Sequence, residues 1–192
     1  MSHFSVAVFT TDGICSVDDL LAPYHVKAIA AVKNDATPYG ELSSAIKPDP
    51  KWDWYEVGGQ WEDMLILKGK QDDALVNTAL VADIDFKAME KRSASELHPY
   101  NEVISNPFPS GKYMRKCYPN EKEYIKRLTA FGTYAVVTPD GKWHEPDYEK
   151  RWLGIVDMTH RAERKWDVSY YDRFIKPALE KKWHVSIVDC HC

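Results

Sequence analysis

Apolar and polar positions alternate most cleanly at the two ends of the chain. HFSVAVFT, residues 3–10, is rich in β-branched and aromatic residues and stops at Thr-Asp-Gly, which predicts a strand. HVSIVDCH, residues 184–191, predicts a closing strand. Alternation there places Trp183, Val185, Ile187, Asp189 and His191 on one face. That face begins apolar and ends with a carboxylate and an imidazole, so the hydrophobic side of the sheet is expected to run out into a polar rim. Rigid strand ends of this kind often carry binding groups; a solvated terminus is the plainer alternative.

Between these strands the pattern is mixed. Ser16 with Asp19 predicts a helix start before Leu20 and Leu21, and Pro23 a stop or bend. The stretch 24–50 carries both helical and turn signals. QWEDMLILKGK predicts a strand ending in a turn at Gly69, and 72–97 contains a helix with Asp85 as its cap and Phe86, Met89 and Leu97 on one stripe. Residues 98–119 are rich in Pro and Tyr without a period, and predict a long ordered loop or insertion. Asn120 with Glu123 starts a helix whose stripe is Tyr124, Ile125 and Leu128, stopping at Gly132. GTYAVVTPDGKWHE predicts a hairpin turning at Pro139-Asp140-Gly141, and WLGIVDM, residues 152–158, a further strand. Residues 166–182 predict a helix capped by Asp167, burying Tyr171, Phe174, Ile175, Ala178 and Leu179 and kinked at Pro177. Without a strict βαβ rhythm, the class is α+β: a mainly antiparallel sheet with helices packed on one face, in a single domain of residues 1–192 with an insertion at 98–119.

Composition narrows the function. At 192 residues the chain can bury a real core, and 44% hydrophobic with 28% charged residues is an ordinary globular balance. A net charge of −4 gives no electrostatic ground for duplex nucleic acid or an anionic membrane as partner. The start has the features of neither a signal peptide nor a spanning segment, and the four cysteines form no Cys-x-x-Cys pair, so reduced thiols and a cytoplasmic setting are expected.

Three places offer chemistry. WDWYEVGGQW, residues 52–61, sets Trp54, Tyr55 and Trp61 around Gly58-Gly59; exposed backbone N–H groups beside aromatic faces would suit a planar anionic ligand such as a nucleotide. A buried tight turn wrapped by aromatics is the alternative, and no phosphate-loop fingerprint is present. His144 is a candidate acid or base, with Glu145 orienting a histidine or binding a hydroxyl. The rim residues Asp189 and His191 are the third. The histidines and cysteines fall at no diagnostic metal spacing, so neither metal nor cofactor is expected.

The blocks MSHFSVAV, DWYEVGGQW, TPDGKWHEP and SIVDCHC, in that order, resemble a family of uncharacterised proteins carried by bacteriophage and prophage genomes. The resemblance spans both ends and two internal blocks. It departs at Gln60, where the family has Arg, which puts any anion clamp assigned to that arginine in doubt. More loosely, the Asp-Trp and Gly-x-x-Trp arrangement is similar to a ferredoxin-like phage and plasmid family. The resemblance implies a phage-type origin and a shared domain but no reaction. Its blocks carry His3, Asp53, Trp61, Trp143, His144, Glu145, Asp189 and His191 together, several of them polar residues that a core does not require.

From these residues we expect a phage-type protein of the host cytoplasm that binds a nucleotide-like or phosphorylated small molecule, sequestering a host defence signal. His3, Asp53, Trp54, Tyr55, Gly58, Gly59, Trp61, Trp143, Asp189 and His191 would line one aromatic, histidine-rich recess. The alternatives are a hydrolase or transferase acting on such a ligand, with His144 and Glu145 as its catalytic pair, and an interaction module that engages a host protein through exposed aromatics.

Overall fold

The computed structural model describes residues 2–12, 15–27, 49–69, 75–107, 109–147, 149–150, 156–157 and 160–192. The helical reading of 24–50 therefore lies almost wholly outside the described residues, as does most of the strand expected at 152–158.

β1 (His3–Thr10) is the strand that its alternation predicts. α1 (Val17–Leu21) begins at a capping box: Ser16 Oγ accepts the Asp19 N–H and the Asp19 carboxylate accepts the Ser16 N–H. Pro23 falls in a 3-10 turn, Ala22–Tyr24, that ends the helix. β2 (Trp54–Val57) leads into a 3-10 turn, Gly59–Trp61, and then β3 (Leu65–Ile66) pairs with β4 (Leu75–Val76). β5 (Thr78–Leu80) precedes α2 (Phe86–Glu96), whose cap Asp85 accepts the Ala88 N–H.

Residues 98–119 form two helices, α3 (Tyr100–Ser105) and α4 (Pro109–Cys117), and not the loop that the sequence suggests. Pro99 sits at the cap of α3 and Pro109 opens α4, positions where the missing N–H of proline does no harm, so a proline-rich stretch breaks into short helices. These helices enclose a small core of Cys117, Tyr118 and Tyr124 with Leu97, Tyr100 and Met114. α5 (Glu121–Thr129) is capped by Asn120 and buries Tyr124 as expected, but Ile125 and Leu128 are exposed and Arg127 is buried in their place.

β6 (Ala135–Val137) and β7 (Trp143–His144) form the expected hairpin, and β8 (Glu149–Lys150) pairs with β9 (Val156–Asp157). α6 (His160–Tyr170) runs through a π-helical turn, Tyr171–Ile175, into α7 (Lys176–Glu180). Here Lys176 N–H donates five residues back, to the Tyr171 carbonyl. Pro177 has no N–H for the carbonyl of Arg173 and would clash with it in a regular helix, so the irregularity lands as a π turn just before it. The buried stripe is Ala162, Trp166, Tyr170, Phe174 and Ala178. A repeat of four outruns the 3.6-residue turn, and the extra residue of the π turn helps keep that stripe aimed at the core. Tyr171, expected inside, is consequently exposed, and Asp167 is a mid-helix partner of Arg127 and no cap.

β10 (His184–His191) closes the fold beside β1. The main sheet runs β2-β10-β1-β6-β7, with β5 also on β10; β1 and β6 are parallel and the other pairs antiparallel. The fold is α+β. One face carries Ala7, Phe9, Val136, Val185 and Ile187 against Trp166, Tyr170 and Phe174. The other carries Val6, Val8, Val137, Val188 and Cys190 against Leu20, Leu21, Tyr24 and Trp52. The longer helices thus lie on one face, while the opposite face is closed by short α1 and aromatic rings. Each fully buried Phe, Leu or Ile contributes about 1.5–3 kcal/mol, which makes the two terminal strands the energetic spine. Among the described residues no helix is long and apolar enough to cross a membrane.

Candidate functional site

The two central strands pair so that His3 stands opposite His191 and Ser5 opposite Asp189. Directly opposed residues share a face, so these four continue the face that farther along is Ala7, Phe9, Val185 and Ile187. The apolar side of the sheet does end in a polar rim. β2 extends it on the other flank, setting Trp54 opposite His191 and Glu56 opposite Asp189.

The rim is built from two histidine–carboxylate pairs. Asp189, 2% exposed, meets His3 Nδ1 with both oxygens, at 3.0 and 3.1 Å. Its Oδ2 also accepts the Gln60 N–H at 3.1 Å. The Asp53 carboxylate meets His191 Nδ1 at 2.6 Å, and this bond holds the Asp53 carboxyl below the usual carboxylate range. The two imidazoles touch each other edge to face, with ring centroids 5.1 Å apart and planes at 72°.

Each member is placed by backbone as well as side chain. Asp53 N–H donates to the His191 carbonyl at 2.9 Å, and His25, whose Nδ1 accepts the Lys27 N–H, donates from Nε2 to the Asp53 carbonyl at 3.1 Å. Gly58 and Gly59 both lie at positive φ, +87° and +55°, which turns the chain back over Asp189 and aims the Gln60 N–H at it. Since Nδ1 of each ring is taken by a carboxylate, Nε2 is the nitrogen left for a ligand. Among the described residues neither Nε2 meets a hydrogen-bond partner.

His3, Asp53, Trp54, Gly58, Gly59, Asp189 and His191 thus come together. The other candidates do not. Tyr55 points to the opposite face, against Trp52, with its hydroxyl bonded to Asp18. Trp143 packs on that same face beside Phe4 and Tyr24. Trp61 is half-buried against the first core. The single ring-lined recess expected from the sequence is therefore divided, because neighbours along a strand alternate faces and large rings are drawn to whichever core is nearer.

His144 and Glu145 lie elsewhere. By register His144 sits opposite Val136, which pairs with Ala7, four residues along and two strands across from His3. Strand spacing and rise put that at roughly 16 Å. Their recess, about 470 Å³, is lined by Tyr24, Lys51, Trp143 and Arg173 among others. Glu145 is already engaged there by Lys51 Nζ at 2.8 Å and Trp143 Nε1 at 2.9 Å. His144 packs on Phe174 and shares a 3.2 Å bond with Thr138 Oγ1; burial, and then Arg173, lowers its pKa from 6.5. A further cavity of about 330 Å³ opens on the β6 side of Ser5, between Tyr134, Arg127 and Trp166.

Sequence reasoning passed over Glu56 and His25, and it expected the N–H groups around Gly58-Gly59 to be open to a ligand, whereas Gly58 N–H donates to the Ile187 carbonyl at 2.8 Å and Gln60 N–H to Asp189. Alternation within WYEV could have found Glu56, since it shares a face with Trp54; the backbone donors and the local His25 bonds leave no residue-type signal. Among the described residues no group of three or more His, Cys, Asp and Glu is placed to hold a metal ion. No family model, curated protein or solved structure matches this chain.

Proposed function

We propose that this chain binds a nucleotide-like or other phosphorylated small molecule at the sheet end formed by His3, Asp53, Trp54, Asp189 and His191. The observation that carries the reading is the contact between two imidazoles whose Nδ1 atoms are each tied to a different carboxylate. A carboxylate at Nδ1 fixes the ring and aims its Nε2 outward, and in the imidazolium form that Nε2–H is an oriented, charge-assisted donor to a phosphate oxygen. Trp54, 49% exposed and opposite His191 on β2, offers an indole face for a base. In the phage-type setting that the resemblance implies, such a protein would act in the host cytoplasm by sequestering a signalling nucleotide. Trp54 is the one exposed tryptophan of the 52–61 segment, which gives an aromatic protein-binding surface little area.

Calorimetric titration and thermal shift with a panel of mono-, di- and cyclic nucleotides test this. A binding heat and a raised Tm are expected from at least one member. His3→Ala and His191→Ala should each weaken that binding about 10- to 100-fold, the worth of a hydrogen bond to a charged group. Absence of heat and shift across the whole panel overturns the reading.

A further inference from the structure

We propose that His3 and His191 are an acid–base pair that cleaves a ribose-containing phosphodiester by attack of its own 2′-hydroxyl. The proposal rests on the binding reading above and adds a reaction to it.

The pairing of parts is what points to chemistry. A site that only held an anion would be expected to bring ammonium or guanidinium groups. Here, among the described residues, no Lys or Arg is bonded to His3, His191, Asp53 or Asp189, and position 60, where the resemblance has arginine, is Gln60. Instead the site spends two carboxylates on orienting two imidazoles, the arrangement that lets a ring both take and give a proton at Nε2. The two rings are 5.1 Å apart, close enough for both to reach oxygens of one phosphorus centre.

Charge selects the substrate class. The groups facing the imidazoles are Asp189 and Ser5 on the central strands, Asp53 and Glu56 on the β2 side, and the His25 ring that bonds to the Asp53 carbonyl. Three carboxylates repel a dianionic monoester more than a singly charged diester. Ser5 is no nucleophile here, since it is buried and its Oγ accepts the Tyr134 N–H at 3.2 Å, and the nucleophile proposed is the ligand's own 2′-hydroxyl.

The step balances within the pair. One imidazole, neutral at Nε2, takes the 2′-hydroxyl proton as the 2′-oxygen forms a bond to phosphorus. The bond from phosphorus to the 5′-oxygen breaks with its electron pair, and the other ring, an imidazolium, gives its Nε2 proton to that oxygen. The products are a 2′,3′-cyclic phosphate and a 5′-alcohol, and the pair ends with one proton as it began. Asp189 and Asp53 are positioning residues, acting through His3 and His191.

The test incubates the full chain with the dinucleoside monophosphate ApA and with its 2′-deoxy analogue, and identifies products by mass spectrometry. The expected result is adenosine 2′,3′-cyclic phosphate plus adenosine from ApA, with the deoxy analogue intact. His3→Ala and His191→Ala should each slow cleavage about 10²- to 10⁴-fold. Each should also remove one limb of the bell-shaped pH–rate profile, an effect that a merely structural role would not produce. His3→Gln and His191→Gln serve where an alanine variant does not fold. Because His144 lies in a different recess, His144→Ala should leave the rate unchanged. Nucleotide binding by calorimetry with ApA left intact would overturn the catalytic inference and leave the binding reading standing; no binding and no cleavage overturns both. Cleavage that persists undiminished in both histidine variants also overturns it.

Discussion

Gly59 lies directly against Asp189: a Cβ at position 59 would stand 2.5 Å from the aspartate Cβ and 2.6 Å from its Oδ2. The backbone there is also at φ +55°, which costs other residues roughly 1–3 kcal/mol. Asp189 cannot simply swing away, since it is buried and bonded to both His3 and the Gln60 N–H. Gly59→Ala should therefore destabilise by about 2–4 kcal/mol in urea denaturation, combining backbone strain with overpacking. Gly69→Ala is the control, being at φ +72° with nothing within 4 Å of its Cβ. Equal losses at the two positions would show that the contact with Asp189 carries no energy.

Removing the carboxylate itself probes the same contact from the other side. Asp189→Ala leaves the Gln60 N–H and the His3 ring without their acceptor, at about 1–3 kcal/mol for a buried unsatisfied donor. Asp189→Asn keeps one oxygen for two donors and should fall between the variant and the native chain. Nitrogen chemical shifts of the His3 ring supply a second readout: the Nδ1–H tautomer should dominate in the native protein and lose its preference in Asp189→Ala. An unchanged tautomer would mean that the carboxylate does not set the ring.

The rim was legible in the sequence because it follows from a period of two. Once 184–191 is a strand, Asp189 and His191 must continue the face of Val185 and Ile187, as they do. That His3 would stand opposite His191 needed the pairing of the two chain ends, which no local pattern states. Neighbours inside one motif misled for a related reason: Trp54 and Tyr55 are adjacent in sequence and lie on opposite faces. Arg127 was read past because a charged residue at that position resembles a solvated one, until a partner 40 positions away takes it into the interior. The helices at 100–117 were hidden by prolines that fall at helix starts, where they do not break anything.

His144 makes stability depend on pH in a predictable sense. Burial, and then the charge of Arg173, lowers its pKa below the ordinary 6.5. The unfolded chain therefore takes up this proton at higher pH than the folded one, and unfolding is favoured as protons are added. The contribution is complete above about 6.5 and drains as pH falls through the lowered folded value. His144→Gln removes the titration. Denaturation at pH 7.5 and pH 5 should show the native chain losing more stability between the two than the variant; parallel losses would remove His144 as a source of the dependence.

Arg127 joins α5 to α6 and to the end of α4. Its Nε and Nη2 donate to Asp167 Oδ2 at 3.0 and 2.6 Å, its Nη1 donates to the Cys117 carbonyl at 2.7 Å, and its guanidinium lies 4.6 Å from the centre of the Tyr118 ring. The two partners are unequally placed: the Arg127 side chain is 4% exposed and that of Asp167 32%. Arg127→Met keeps an apolar stem and leaves an aspartate that water can reach, so its cost should be about 2–3 kcal/mol, much of it from the Cys117 carbonyl. Asp167→Ala strands a guanidinium that water cannot reach, and should cost more, towards the 3–5 kcal/mol typical of a broken buried pair. The larger effect is thus expected from mutating the more exposed residue, the reverse of what exposure alone predicts. Urea denaturation of both variants decides it, and a smaller loss for Asp167→Ala than for Arg127→Met would show that the guanidinium finds other compensation within the fold.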